Sequence, residues 1–220
     1  MKKYPSIPYW DKGEFGSFCY AFDKLDGSNI RVEWDNKLSK KSTQTLGFKK
    51  FGTRNQMINN VNENFGDSVD IFYDKYAEEL NQIFRTNPTY RNSRKITIYL
   101  EYYGENSFAG QHYKNDKKDL VLFDVELFQK GFIEPKKFIS DFSHLGIPDV
   151  VYRGEYNQEL INQVRNNEFG LSEGVICKGS LNKKVWMVKI KTNQWLDIIK
   201  KKLGQEALTQ ELNGNLNLIS

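Results

Sequence analysis

The chain has 220 residues, of which 39% are hydrophobic and 14% aromatic, enough for one ordinary domain with an apolar core. The formal net charge of +4 permits a polyanionic partner but does not require one. No run of about 18 apolar residues is present, and the basic N-terminus lacks the apolar stretch of a signal peptide, so neither a membrane span nor secretion is expected. Two cysteines, Cys19 and Cys177, are too few for a disulfide framework or a zinc cluster, so we expect a reduced, cytoplasmic protein.

The first half of the chain predicts strands, a loop and a helix. In "YAFDKLDGSNIRVEW", residues 20–34, apolar residues alternate with others around a Gly-Ser turn and predict strand structure that Lys24, Asp23 and Asp26 interrupt. Residues 36–56 are polar and basic and predict a long loop. Residues 69–84 carry apolar side chains at helical spacing, which predicts an amphipathic helix.

The second half mixes strands with short helices. Strands are predicted at 95–104 and 120–128, separated by a polar loop at 105–119, and again at 173–179 and 184–191. Short helices are predicted at 134–146 and 158–167, and the C-terminal part is predicted to be helical and then Asn-rich and frayed. Because there is no regular β-α-β alternation, this order favours a single α+β domain with antiparallel sheets over a doubly wound parallel fold.

Charged residues interrupt several predicted strands. Burying a charge is costly unless it is paired, so such residues beside Gly-containing turns or strand ends predict the walls of one polar cleft. Lys189 and Lys191 are two residues apart and should share a strand face, where they either hold an anion or form a solvated edge. Because no Walker loop and no G-x-G-x-x-G is present, side chains would have to hold a nucleotide's phosphates. The interrupting residues are Lys24, Glu101, Glu173, Lys189 and Lys191.

Five short motifs occur in a fixed order along the chain: "KLDG" (24–27), "LEYYG" (100–104), "LVLFDV" (120–125), "EGVICK" (173–178) and "MVKIK" (187–191). This series resembles the collinear motifs of the covalent nucleotidyltransferase superfamily, which contains ATP-dependent DNA ligases, RNA ligases and mRNA capping enzymes. With "YPSIPYW", "DGSN" and "LFDVELFQKGFIEP", it is most similar to the RNA ligases of the nick-sealing phage type. The resemblance implies an ATP-grasp-like, antiparallel-sheet adenylation domain with flanking helices over residues 1–220. The chain departs from the family in one respect: the residues after the last motif are too few for an OB domain or a separate C-terminal domain, so neither is expected.

The resemblance also implies a reaction. Lys24 would attack the α-phosphate of ATP, form lysyl-AMP, and pass the AMP to the 5′-phosphate of an RNA, which a 3′-hydroxyl then attacks. ATP would be the AMP donor and Mg²⁺ (or Mn²⁺) the metal, and the RNA could be nicked in a duplex or in an RNA–DNA hybrid. A lysine with the ordinary pKa of about 10.4 is protonated at neutral pH, so neighbouring cations and partial burial would have to favour the uncharged amine. For a phage-encoded protein, the compartment would be the cytoplasm of a bacterial host.

Residue roles follow from the same resemblance. Glu101 should bind the ribose hydroxyls, Glu173 should hold the metal or its waters, and Lys189 and Lys191 should contact the phosphates. Phe123 should stack on adenine, unless it is an ordinary core phenylalanine. Further candidates for nucleotide binding are Asp23, Asn29, Lys178 and Arg54, although Arg54 is equally typical of a solvated loop, and Asp26 should shape the lysine turn.

Other functions are compatible with these motifs. A minimal ATP-dependent DNA ligase shares them, and a capping-type guanylyltransferase shares them but needs an OB domain. A nucleotide- or nucleic-acid-binding module that has lost catalysis is the third alternative, and Lys24 argues against it because a binder needs no nucleophile. Basic residues at 37–54 and 200–202 contact RNA phosphates or else serve solubility.

Overall fold

The structure is a computed structural model that describes residues 1–104 and 117–212. The chain packs into two compact units. The first unit comprises Met1–Tyr4, Gly27–Ile133 and Phe138–Ile147, and the second comprises Pro5–Asp26, Glu134–Lys137 and Pro148–Ser220. The single domain over 1–220 stays a prediction. Among the helices in the described ranges, none has the length and apolar character needed to cross a membrane.

The described residues contain ten strands and six α-helices. The strands are β1 (Phe18–Asp23), β2 (Ser28–Asp35), β3 (Phe48–Thr53), β4 (Met57–Ile58), β5 (Lys95–Tyr103), β6 (Asp119–Leu127), β7 (Gly131–Phe132), β8 (Val150–Glu155), β9 (Gly174–Leu181) and β10 (Lys184–Lys191). The helices are α1 (Asn36–Ser39), α2 (Gly66–Phe72), α3 (Glu78–Thr86), α4 (Pro135–Phe142), α5 (Gln158–Arg165) and α6 (Asn193–Leu212).

The first unit is a six-stranded antiparallel sheet with a long helical segment on one face. Its strand order is β4-β3-β2-β5-β6-β7. A π-helical turn, Tyr73–Ala77, joins α2 to α3, so the helix predicted at 69–84 is confirmed with one wide turn in its middle. The helical segment packs on the sheet through aromatic contacts such as Trp34 with Phe84, whose ring centres are 5.4 Å apart. The Tyr76 hydroxyl donates to the Leu120 carbonyl at 2.7 Å, which fastens the wide turn to β6.

The second unit is a four-stranded antiparallel sheet with the order β10-β9-β1-β8. One face packs with α5 into an apolar core that includes both free thiols, Cys19 and Cys177, which are fully buried. Strand alternation places the next residues, such as Tyr20 and Lys178, on the opposite face. This opposite face carries the charged residues that the sequence singled out in β9 and β10.

The α+β class with antiparallel sheets is confirmed, and so are the strands and helices predicted from residue 95 onwards within the described residues. The predicted loop at 105–119 lies mostly in residues 105–116, which fall outside the described residues, as does the Asn-rich end at 213–220. α6 contains a bend at Gly204, where φ is 88°.

Two predictions were wrong or incomplete. The loop predicted at 36–56 contains α1 and β3, because Phe48 and Phe51 are buried on either side of the exposed Lys49 and Lys50, which mask the strand pattern. β8 was not predicted, because none of its residues is fully buried and no apolar alternation marks it.

Candidate active site

Lys24 follows β1 directly, and backbone hydrogen bonds hold the chain on both sides of this position. The Lys24 N–H donates to the Gly174 carbonyl at 2.9 Å, and the Asp23 N–H donates to the Asp149 carbonyl at 2.8 Å. The Lys24 Nζ donates to the Glu173 carboxylate at 2.7 Å, and the Lys24 side chain is 26% exposed. The amine is therefore reachable from solvent while its position is fixed by a buried carboxylate.

Glu173 lies between two amines. It immediately precedes β9, its side chain is 3% exposed, and it accepts hydrogen bonds from both Lys24 and Lys191. Its own carbonyl accepts from the Thr192 N–H at 3.0 Å, which ties it to the residue after β10. Two ammonium groups this close repel each other, and the shared carboxylate offsets that repulsion.

Gly174 allows β9 and β10 to approach beside this triad. It pairs with Lys191, and a Cβ atom added to it would lie 2.1 Å from the Ile190 carbonyl oxygen. Because that oxygen belongs to the backbone, no side chain can rotate away to make room. Glycine at this position therefore keeps Glu173 and Lys191 within hydrogen-bonding distance.

The remaining lysines of the second unit share one sheet face. Lys189 pairs with Ile176, and Met187 pairs with Lys178, so Lys178 projects from the same side as Lys189 and Lys191. The shared face of Lys189 and Lys191 was predicted. Lys191 is buried, which excludes a solvated edge for that residue. These lysines therefore form one basic face beside Lys24.

Each of these three lysines has an aromatic ring close to its ammonium group. The Nζ-to-ring-centre distances are 4.4 Å for Lys189 with Tyr9, 5.0 Å for Lys178 with Phe22 and 5.2 Å for Lys191 with Trp195. Such contacts orient an ammonium group without neutralising its charge. The ring contacts therefore hold the three ammonium groups in place and leave them positively charged.

Asp23 is an unusual neighbour for a phosphate site because it is itself acidic. Burial raises the pKa of its carboxyl group, repulsion from Asp149 raises it further, and the Lys24 ammonium opposes both effects. Its buried Oδ1 has no hydrogen-bond partner within the described ranges. The role of Asp23 in nucleotide binding stays a prediction.

In the first unit, Asn29 and Glu101 are directly paired across β2 and β5. They lie on the sheet face opposite the helical segment, since their neighbours Ile30 and Leu100 are buried in the core. The Asn29 Oδ1 is buried and has no hydrogen-bond partner among the residues that the structure describes. A carboxylate and an amide side by side provide the acceptors and donors that hydroxyl groups require.

Phe123 occupies a β-bulge in β6. Tyr99 pairs with Asp124 and Leu100 with Leu122, so Phe123 is the extra residue between them. Bulges redirect side chains and are frequent beside active sites. The Phe123 ring is half-buried and contacts Tyr4 edge-on, with ring centres 5.0 Å apart, so it is not part of the buried core. Its stacking on adenine stays a prediction.

Arg54 lies exposed in the turn between β3 and β4 of the first unit. The structure therefore unites Lys24, Glu173 and Lys191 in the second unit and Asn29 with Glu101 in the first unit. Arg54 shows no contact with another predicted site residue in the described part of the chain. The lysines at 200–202 are exposed on α6, and the lysines of 37–54 are exposed on the first unit.

The aromatic partners of the lysines were not predicted. Tyr9 is far from Lys189 in the chain, and only the tertiary fold brings them together through the bond from the Lys189 N–H to the Pro8 carbonyl at 2.8 Å. The contact of Trp195 with Lys191 could have been suspected from the sequence, because Trp195 follows Lys191 by only four residues.

The acidic side chains near Lys24 limit how a metal could be held. The described part of the chain contains no group of three or more His, Cys, Asp or Glu residues that could hold an ion. Magnesium in nucleotide sites is held by one or two carboxylates together with phosphate oxygens and waters. Glu173, a single buried carboxylate between two cations, fits a metal that arrives with a nucleotide and does not fit a resident metal.

The fold is that of an RNA ligase nucleotidyltransferase domain. An apo variant of Naegleria gruberi RNA ligase superimposes with a TM-score of 0.67 at 16% identity, over 92% of this chain and 58% of that chain. A variant of the same ligase with ATP and Mn superimposes with a TM-score of 0.66 at 16% identity, over 92% of this chain and 59% of the other. The chain thus spans less than two thirds of these ligases.

Sequence comparison assigns the family. A model of the RNA ligase family matches residues 19–202, so the chain belongs to the RNA ligase family, and the predicted membership is confirmed. The uncharacterized protein MJ1060 of Methanocaldococcus jannaschii is 30% identical over 131 residues, which are 54% of this chain and 23% of that protein.

Proposed function

We propose that the chain is an ATP-dependent RNA ligase that joins 5′-phosphate and 3′-hydroxyl ends through lysyl-AMP on Lys24. The single observation that carries this proposal is the Lys24 amine 2.7 Å from the Glu173 carboxylate that Lys191 shares. Family membership and the solved Naegleria gruberi ligase with ATP and Mn support the choice of RNA and ATP.

The first step needs an uncharged amine. Glu173 is the acceptor within reach of the Lys24 proton. The proton that passes from Lys24 to Glu173 stays inside the triad, so the triad keeps a net positive charge, then carried by Lys191. The Lys24 nitrogen then attacks the α-phosphorus of ATP and loses a further proton to solvent as the P–N bond forms, and pyrophosphate leaves with the electrons of the broken P–O bond. Lys189 and Lys191 stabilise the negative charge that develops on the phosphate oxygens.

Two transfers complete the reaction. An oxygen of the RNA 5′-phosphate attacks the phosphorus of lysyl-AMP, and the P–N bond breaks with its electrons on nitrogen, which takes up a proton and restores the Lys24 amine. The 3′-hydroxyl then attacks the activated 5′-phosphorus, loses its proton and releases AMP. As the resemblance implies, Glu101 binds the ribose hydroxyls and Phe123 stacks on adenine. The further nucleotide-binding candidates are Asp23, Asn29, Arg54 and Lys178.

A divalent metal would assist the lysines at the phosphates. Mg²⁺ or Mn²⁺ bound with ATP would supply further positive charge at the phosphates. Glu173 is the residue that would hold it or its waters.

The test is whether the protein acquires a covalent AMP label on Lys24. Incubated with Mg²⁺ and α-labelled ATP, the protein should retain AMP on a denaturing gel, and Lys24→Ala should lose the label completely because the attacking atom is gone. Lys12→Ala, at a 70% exposed lysine of the same unit, is the matched control and should label normally. Retention of the label by Lys24→Ala would remove Lys24 from this role. Labelling from GTP would indicate a capping enzyme, and labelling from neither nucleotide a binding module.

A further inference from the structure

Two neighbouring aromatic side chains, one exposed and one half-buried, lie on the basic face of the second unit's sheet. Because Cys19 and Ala21 point into the core, Phe18 and Tyr20 point to the opposite face of β1. Phe18 is 57% exposed and Tyr20 is half-buried, and their rings meet edge to face with centres 5.3 Å apart. Single exposed apolar side chains are common on proteins, so this pair points to a partner only together with the charges around it.

Cations accompany this aromatic pair. Tyr20 is directly paired with Arg153 on β8 and with Lys178 on β9, and Arg153 is exposed. Acidic groups are fewer on this face: Glu155 pairs with Phe18, and the Glu134 carboxylate accepts a hydrogen bond from the Ser180 hydroxyl at 3.1 Å. Open aromatic faces next to cations match a partner that carries flat bases on a phosphate backbone.

The position of Phe18 and Tyr20 relative to Lys24 favours binding of the single-stranded 5′ end of an RNA. Tyr20 and Phe18 lie on β1, four and six residues before Lys24, which corresponds to about 13 and 20 Å at about 3.3 Å per residue. A chain whose 5′-phosphate lies at Lys24 would pass Tyr20 and then Phe18. Stacking on a side chain requires bases that are free of a duplex stack.

We infer that Phe18, Tyr20 and Arg153, named here the stacking patch, bind unpaired nucleotides that follow the 5′-phosphate of the RNA substrate. The inference rests on the proposed function and adds to it that the strand bearing the 5′-phosphate is single-stranded near its end. Bases stack on Phe18 and Tyr20, and Arg153 pairs with a phosphate.

The test measures RNA affinity separately from AMP capture. In Phe18→Ala/Tyr20→Ala, the Kd for a fluorescent, 5′-phosphorylated single-stranded RNA should rise about tenfold, or about 1.4 kcal/mol, while AMP labelling from ATP stays at the wild-type level. The matched control is Phe15→Ala, because Phe15 is 52% exposed in the same unit but contacts Tyr156 of the core, with ring centres 5.1 Å apart. Phe15→Ala should leave the Kd unchanged.

Arg153→Gln provides a second readout. Loss of one phosphate contact should weaken binding and lower the slope of log Kd against log salt by about 0.7 to 1. An unchanged Kd in the double variant, an equal loss in Phe15→Ala, or no measurable RNA binding by the wild type would overturn the inference. A change of oligomeric state in the double variant at unchanged Kd would overturn it as well and assign the patch to self-association.

The two proposals fail differently. A wild-type protein that binds RNA through the stacking patch but takes no label from ATP would overturn the ligase proposal alone. A protein that labels normally while the double variant keeps its RNA affinity would overturn the stacking patch alone.

Discussion

Glu173 accepts hydrogen bonds from two amines, so replacing it should affect stability as well as chemistry. Glu173→Gln leaves the buried Lys191 ammonium without its counter-charge, and loss of one partner of a buried ion pair costs roughly 3–5 kcal/mol. We expect a loss of that size in the free energy of unfolding from urea titration, together with loss of AMP labelling. The double variant Glu173→Gln/Lys191→Met should recover much of the stability but none of the labelling. Unchanged stability in Glu173→Gln would show that Lys191 does not depend on this carboxylate.

Asp23 should make stability depend on pH in the opposite direction to an ordinary ion-paired carboxylate. Its folded-state pKa is raised above the usual 3.8, by burial first and by Asp149 second. As pH rises through 3.8, the unfolded chain releases this proton before the folded chain does, so folding stability falls until the folded-state pKa is passed and is constant above it.

Asp23→Asn removes that titration. Its free energy of unfolding should therefore rise relative to the wild type from pH 3.8 upward, with a slope of at most about 1.4 kcal/mol per pH unit, and the two proteins should differ least in acid. Chemical denaturation at several pH values gives this comparison. A difference that is independent of pH would contradict the raised pKa.

At the scale of single residues, sequence reasoning found the charged residues because a charge on an apolar strand is visible without a structure. Lys24, Glu173 and Lys191 were singled out in this way, and they form one hydrogen-bonded group. The sequence placed Lys24 and Glu173 in one polar cleft but did not predict the hydrogen bond between them. Pairing between residues about 150 positions apart depends on strand order, which spacing does not reveal.

At the scale of elements, the close approach of β9 and β10 at Gly174 should make stability and labelling sensitive to a small substitution. In Gly174→Ala the new methyl group would meet the Ile190 carbonyl, so β10 would have to move. We expect a loss of stability near the upper end of about 1–3 kcal/mol and, because Lys191 moves with β10, loss of AMP labelling.

Gly170→Ala is the matched control in the same unit. Gly170 has a φ of 69° but nothing within 4 Å of an added Cβ, so alanine there should cost about 1 kcal/mol of backbone strain and leave labelling intact. Thermal unfolding and the AMP label measure both effects. Equal behaviour of the two variants would show that close strand approach is not what Gly174 provides.

Elements with strong periodicity were predictable, and irregular ones were not. The helix at 69–84 was recognised from its apolar stripe, but its π-helical turn was not, because a single wide turn shifts that stripe only slightly. The bulge at Phe123 escaped for a similar reason: one extra residue reverses the strand alternation, and a half-buried phenylalanine fits either phase.

At the scale of the whole molecule, the order of the motifs identified the family but not the division into units. The chain passes from the second unit to the first between Asp26 and Gly27, inside the "KLDG" motif itself. β1 and β2, which flank this motif, consequently belong to different sheets. Continuous strand-like sequence on both sides of a turn suggests a local pair, and only long-range pairing decides otherwise.

The two buried thiols provide a reporter confined to one part of the protein. Cys19 and Cys177 are the only cysteines in the chain, and both are fully buried on adjacent strands of the second unit. A thiol-reactive dye can modify them only when that sheet opens, so the modification rate measures the opening equilibrium of the Lys24-bearing unit alone. Slower modification in the presence of ATP would then report nucleotide capture without any radioactive label.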